Sequence, residues 1–276
     1  MEYTTLNNGV EMPMLGYGVY KTPRAITEHC VREALETGYR LIDTAQAYGN
    51  EDGVGAAVAG SGLDRSEVFI TTKTRTSGYR STRRSIDESL RALRTDYVDL
   101  LLVHWSMGDD ASTYRALEEA YHQGRARAIG LSNFYGSAFA GIAGRADVVP
   151  AVSQVETHVF YQQRRARAQF DQYHTQIESW GPLAEGMHGI FTDPVLTGIG
   201  DAHGRSAAQV ALRFLTQSGV VVIPKSTHRE RMVENFESLD FDLTDAEVAR
   251  VRSLDTGTTL SGWPGVPEQN YDVESG

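Results

Sequence analysis

Arg40-Leu41-Ile42-Asp43-Thr44-Ala45-Gln46-Ala47-Tyr48-Gly49-Asn50-Glu51 reads as a short apolar strand ending on an aspartate, a loop with a tyrosine five positions later, and the first turn of a helix. Two later runs end in the same manner. Val68-Phe69-Ile70-Thr71-Thr72-Lys73 closes on a lysine, and Val98-Asp99-Leu100-Leu101-Leu102-Val103-His104 closes on a histidine. If the three strands are parallel neighbours, Asp43, Tyr48, Lys73 and His104 gather at one rim.

Outward from these runs the same alternation continues. Strands are predicted at residues 15–18, 40–43, 68–73, 98–104, 126–132, 152–156, 176–180 and 220–223, with helices beginning near Thr22, Asn50, Ser81, Ser112, Gly136, Gln163, Ser206 and Thr227. Eight strand-helix units without a linker between them predict a closed (β/α)8 TIM barrel, with a doubly wound sheet as the alternative. Residues 3–15 alternate in character around Asn7-Asn8-Gly9, which predicts an N-terminal β-hairpin placed to plug one end. Ser81 is the expected N-cap of the helix that buries Ile86, Leu90 and Leu93. Thr244-Asp245-Ala246-Glu247 has the capping-box pattern and predicts an extra C-terminal helix after the eighth unit, followed by a long loop carrying Trp263 and Tyr271. Residues 1–276 are expected to form a single domain.

Composition narrows the function. The chain has 276 residues, 41% of them hydrophobic, which is enough for a large core. A net charge of −10 argues against nucleic acid as a main partner, because neutralising phosphates needs a broad basic face. Cys30 is the single cysteine, so no internal disulfide forms and a reducing compartment fits. The N-terminus lacks the basic start and apolar run of a secretion signal, and no apolar run approaches membrane-spanning length. The expectation is a soluble cytoplasmic protein, a monomer by default, acting on a small molecule.

The quartet suggests a chemistry. A tyrosine is a poor acid at neutral pH, but a neighbouring ammonium favours the phenolate and pulls its pKa down. Lys73 would supply that charge, Asp43 would keep Lys73 protonated and aimed, and His104 would donate a hydrogen bond to a carbonyl oxygen. Tyr48 then becomes the proton donor for a developing alkoxide. A second feature is Ile223-Pro224-Lys225-Ser226-Thr227-His228-Arg229-Glu230-Arg231, a concentrated anion site at the start of a helix in an acidic chain. Other readings stand beside these. His104 with Asp43 and His158 would suit a metal-dependent barrel hydrolase, although no paired histidine spacing of the zinc type is present. Gly53 and Gly55 do not complete a dinucleotide fingerprint, because Val58 stands where the third glycine is needed.

From about residue 6 to about residue 255 the chain resembles the aldo-keto reductase family. Asp43-Thr44-Ala45 with Tyr48-Gly49-Asn50-Glu51 is similar to that family's first signature, and Lys73 and His104-Trp105 match its remaining catalytic positions. Within the family, Ile177-Glu178-Ser179-Trp180-Gly181-Pro182-Leu183 and Phe241-Asp242-Leu243-Thr244-Asp245 resemble the bacterial 2,5-diketo-D-gluconate reductase subgroup. The resemblance implies NADPH-dependent reduction of aldehydes or ketones, without metal, by a tetrad of Tyr48, Lys73, Asp43 and His104. It implies that Ser132, Asn133 and Gln154 hold the nicotinamide carboxamide and that Trp180, with Leu183 nearby, packs on the nicotinamide. It further implies that Lys225, Ser226 and Arg231 take the 2′-phosphate while Glu234 and Asn235 hold the adenine. Tyr20 and Trp105 are expected to wall the substrate pocket. Arg75 stands where many members carry tryptophan, which suggests attraction of carboxylate-bearing substrates. The alternative function is an NADPH-binding sensor or regulatory barrel with little catalysis.

Overall fold

The computed structural model describes residues 1–257 and 259–260, so Trp263 and Tyr271 lie outside the described residues. An antiparallel hairpin, β1 (Tyr3–Thr5) and β2 (Glu11–Pro13), precedes eight parallel strands. These are β3 (Tyr17–Gly18), β4 (Leu41–Asp43), β5 (Phe69–Thr74), β6 (Val98–Val103), β7 (Ala126–Ser132), β8 (Val152–Glu156), β9 (Gln176–Trp180) and β10 (Val221–Val222), each paired with the next. Every residue of β5 and β6 is buried, as continuous apolar runs in a parallel sheet covered on both faces should be. The sheet closes on itself. Leu15 bridges Val222 in parallel, with Gly16 N donating to Val222 O at 2.8 Å and Val222 N to Met14 O at 2.9 Å.

Helices follow the strands: α1 (Arg24–Thr37), α2 (Glu51–Ala59), α3 (Tyr79–Leu93), α4 (Asp110–His122), α5 (Gly136–Ala143), α6 (Arg164–Asp171), α7 (Pro194–His203), α8 (Ala207–Gln217), α9 (Arg229–Phe236) and α10 (Asp245–Arg252). The (β/α)8 barrel is therefore present, with its N-terminal hairpin and its extra C-terminal helix. Gly53 and Gly55 lie within α2, where a Cβ on Gly55 would sit 2.5 Å from the Leu93 carbonyl carbon. The smallness of Gly55 serves close packing against α3, and that of Gly53 close packing against Thr27 of α1.

One local expectation fails, and one helix is unanticipated. Ser81 is not the N-cap of α3, because the helix starts at Tyr79 behind Gly78, whose φ of 82° few side chains tolerate. The Ser81 hydroxyl instead donates back to Gly78 O at 2.9 Å. Helix α7 is an addition in a segment with no assigned element. Its start is written in Asp193-Pro194: the aspartate accepts from Val195 N at 2.9 Å and Leu196 N at 3.1 Å, and proline fills the first helical position. The capping box of α10 forms as expected, and that helix packs on α7 and α8.

The hairpin decides which end of the barrel is open. Leu6, Met12 and Met14 pack with Leu41, Phe69, Leu100, Ala128, Val152 and Val221, toward the N-terminal ends of the strands. Asn8 Nδ2 donates to Arg127 O at 2.9 Å and Asn7 Nδ2 to Pro150 O at 3.2 Å. With that mouth sealed by apolar packing, a polar ligand has access at the C-terminal rim. Among the described residues no helix is long and apolar enough to cross a membrane.

Candidate active site

Asp43 ends β4 and Lys73 lies near the end of β5, its immediate neighbour, so the two side chains meet inside the rim. The lysine is wholly buried and the aspartate is 2% exposed. Lys73 Nζ donates to Asp43 Oδ1 at 2.6 Å and Oδ2 at 2.8 Å, to Thr44 O at 2.9 Å and to the Tyr48 hydroxyl at 3.3 Å. Tyr48 reaches this position on a short 3-10 turn, Gln46–Tyr48, that ends on Gly49 in the left-handed region. Asn50 pins the loop. Its Nδ2 donates to Val19 O at 3.0 Å while its Oδ1 accepts from Thr44 Oγ1 at 2.9 Å. Gln46 ties the same loop to α3 and to the end of β5, donating to Ser89 Oγ at 2.8 Å and accepting from Arg75 N at 2.9 Å.

His104 follows β6, and its ring lies edge-on to that of Tyr48 at 5.6 Å between centroids. Burial, then the charges of Lys73 and Arg75, push its pKa down to about 2, so the imidazole is neutral. Its Nδ1 is buried without a partner among the described residues, which leaves Nε2 as the nitrogen able to meet a ligand. Burial opposes the charge on Lys73, but Asp43 and Tyr48 outweigh it and raise the lysine pKa. The expected acidification of Tyr48 does not prevail. Burial pushes the phenol up to about 12, and although Lys73 pulls it down, Asp43 offsets part of that pull.

Beside the quartet lies a set of amides. Asn133, held at a φ of 61°, donates from Nδ2 to His104 O at 3.1 Å and Ser132 Oγ at 3.0 Å, and accepts from Trp180 Nε1 at 2.8 Å. Gln154 Nε2 donates to Asp43 Oδ2 and to Glu178 Oε2, each at 2.9 Å. Asn133 and Gln154 thus contact the quartet directly, and Ser132 and Trp180 are joined to it through Asn133. Leu183 is half-buried in the loop that follows Trp180.

The basic segment opens α9 beyond β10. Lys225 and Arg231 are exposed and have no carboxylate partner among the described residues, whereas Arg229 is taken by Glu36 at 3.0 Å. Ser226 is buried, and its Oγ accepts from His228 N at 3.0 Å. Asn235 is buried and Glu234 half-buried one turn further along.

At the mouth, the Tyr20 ring lies 5.0 Å from that of Tyr48 and the Trp105 ring 3.9 Å from that of His104. Arg75 is exposed near His104 and has no carboxylate partner among the described residues. His158 is paired with Glu156 at 3.0 Å. Among the described residues there is no group of three or more His, Cys, Asp or Glu side chains able to hold a metal ion.

Three features escaped the sequence reading. Thr44 acts through its carbonyl, which no side-chain pattern advertises. Glu178 is a buried carboxyl beside Gln154 on the adjacent strand, and with Gln176 and Ser179 also polar in β9 nothing in the local pattern sets it apart. Lys21 and Glu185 form an ion pair at 3.1 Å between the loops after β3 and β9, which flank β10 and so span its end.

The Aldo/keto reductase family model matches residues 14–256, a span that contains all four members of the quartet, the amides beside it and the basic segment at α9. The chain belongs to the aldo/keto reductase family. It is 43% identical over 275 residues to morphine 6-dehydrogenase of Pseudomonas putida, covering 94% of this chain and 93% of that one. It is 37% identical over 262 residues to methylglyoxal reductase DkgA of Escherichia coli, covering 94% of this chain and 95% of that one. Among solved structures it is similar to a mutant of Gox0644 in complex with NADPH, with a TM-score of 0.87, 37% identity, and coverage of 92% and 93% of the two chains. This aldo/keto reductase is accordingly an oxidoreductase.

Proposed function

We propose that this aldo/keto reductase reduces aldehydes or ketones to alcohols with NADPH, and that Tyr48 is the general acid. The observation that carries the reading is the Tyr48 hydroxyl, 3.3 Å from a buried lysine that is itself ion-paired with Asp43. NADPH suits the residues present. The Ser132 hydroxyl with the Asn133 and Gln154 amides offers both donors and acceptors to a carboxamide, and Lys225 and Arg231, without a carboxylate partner among the described residues, suit a phosphate beside the start of α9. When bound, that cofactor supplies hydride. The chain's part is to orient the carbonyl and deliver a proton. His104, neutral, donates from Nε2 to the carbonyl oxygen. Tyr48 then passes its hydroxyl proton to that oxygen as negative charge develops, and Lys73 stabilises the tyrosinate left behind. Asp43 and Thr44 O hold the ammonium in place throughout.

Alcohol oxidation uses the same groups in reverse, since both directions share one transition state. We read the acidic chain as unsuited to nucleic acid and its partner as a small carbonyl compound. The test is loss of reduced-nicotinamide absorbance with aldehydes, α-dicarbonyls and keto-sugars, beside titrations of NADPH binding. Turnover supports the reductase reading. Tight binding without turnover of any substrate moves the function to a sensor, and no binding overturns the cofactor assignment.

Two consequences concern selectivity. Lys225→Ala combined with Arg231→Ala is expected to weaken NADPH binding by roughly 10–100-fold, the scale of lost charge-assisted contacts, while NADH binding changes little. Equal weakening of both cofactors in paired titrations would place the 2′-phosphate elsewhere. Arg75, without a carboxylate partner among the described residues, offers its guanidinium to carboxylate-bearing substrates. Arg75→Ala should lower kcat/KM for an acidic carbonyl relative to a neutral one of the same shape by about 3–10-fold, as befits one exposed charge. An unchanged ratio removes Arg75 from the pocket.

A further inference from the structure

Gln154 and Glu178 are register partners on β8 and β9, and both face the barrel interior. Glu178 is wholly buried, lies in no described ion pair, and has no part in the proton transfer above. A buried carboxyl without a task is costly, so its placement calls for a reason. The Gln154 amide supplies one. Asp43 accepts from the Lys73 ammonium on both oxygens and can only accept, so the side-chain atom of Gln154 that faces it must be the nitrogen. One N–H of that nitrogen is then engaged. The second points to Glu178 Oε2 at 2.9 Å, which completes the donor capacity of the amide. Gln154 Oε1 has no protein partner among the described residues and is not among the sealed polar atoms, so it is left free to accept, on a strand position whose register partner is Ser132.

We propose that Glu178 is a positioning residue for the nicotinamide: with Asp43 it holds both N–H groups of Gln154, so that this side chain presents only its carbonyl oxygen to the cofactor. The inference rests on the NADPH reading given above. An acceptor in that place selects the NH2 of a carboxamide and fixes which way the group turns, and with it which face of the ring is offered to substrate. The charged neighbours are Asp43 and Lys73, which form a pair of their own. Burial, followed by the charge of Asp43, lifts the Glu178 pKa to about 8, and Oε2 accepts from Gln154 whether or not Oε1, which has no partner among the described residues, carries a proton. Acceptance, not negative charge, is the required property.

The experiment compares two ligands on three proteins. NADPH and 2′-phospho-ADP-ribose, which lacks the nicotinamide, are titrated calorimetrically into wild type, Glu178→Met and Glu178→Gln. Methionine matches the volume without an acceptor, whereas glutamine restores one without charge. Glu178→Met is expected to raise the Kd for NADPH about tenfold, equivalent to ~1.4 kcal/mol, and to leave that for 2′-phospho-ADP-ribose unchanged. Glu178→Gln should return NADPH binding to within about twofold of wild type. Equal weakening of both ligands, no change in either, or a glutamine variant as impaired as methionine overturns the proposal. Glu178→Leu reads the same loss if the methionine variant does not fold. Failure of wild type to bind NADPH refutes the cofactor reading instead, so the two failures are distinct.

Discussion

Tyr48→Phe is expected to lower kcat for carbonyl reduction by about 10³, within the range for losing a positioned general acid, with NADPH affinity unchanged. The size follows from the absence of a substitute. His104 cannot take over, because a pKa pushed down to about 2 leaves it without a proton to spare beyond its neutral N–H. Lys73 cannot either, since its ammonium is committed to Asp43 and to Thr44 O and its pKa is raised. The ring itself stays in place against Tyr20 and His104, so stability should change by no more than ~1 kcal/mol, the worth of one hydrogen bond. Steady-state rates with wild type and variant at saturating cofactor decide the matter. More than about a tenth of the wild-type rate would show that another group donates the proton.

The same electrostatics set a pH dependence. Tyr48 pushed up to about 12 remains a phenol through the neutral range, so reduction should be flat with pH there. Oxidation of the alcohol needs the tyrosinate and should rise with pH. A reduction rate that falls near neutrality would mean that the bound complex lowers the tyrosine pKa much further than Lys73 does here.

The barrel and the quartet were legible because each rests on a local signal. Apolar runs such as Val98 to Val103 end on a polar residue at one rim, and the capping box at Thr244 needs only four adjacent residues. The misses have a different origin. Ser81 carries the right side chain for an N-cap, but Gly78 and its backbone turn three residues earlier start the helix. The pKa of Tyr48 depends on how deeply the ring is buried and on the counter-ion of its lysine, neither of which spacing reveals. Glu178 gains its meaning from Gln154 on the adjacent strand and Asp43 across the barrel, a three-way contact that exists only once the sheet has closed. Helix α7 was readable from Asp193-Pro194. Its capping signal stands in a stretch where the strand-helix alternation leads one to expect nothing.

Lys73→Met should abolish activity to a similar degree and, unlike Tyr48→Phe, destabilise the fold by about 3–5 kcal/mol at neutral pH, the cost of stranding one member of a buried ion pair. The ammonium is wholly buried, and its removal leaves Asp43 with Gln154 Nε2 as its remaining donor. Burial already pushes the Asp43 carboxyl above the usual range, and Lys73 is the main influence pulling it back. Without the lysine, the folded-state pKa of Asp43 rises further above its unfolded value. A carboxyl raised in the folded state favours folding fully below the unfolded pKa, and that contribution is lost as pH rises through the folded pKa. The stability deficit against wild type should therefore be smallest in acid and widen toward neutrality, read as urea midpoints across a pH series. Adding Asp43→Asn, which removes the stranded charge, should recover most of the stability and none of the turnover. A deficit that is independent of pH and survives in the double variant would assign the loss to packing of the lysine stem and not to the ion pair.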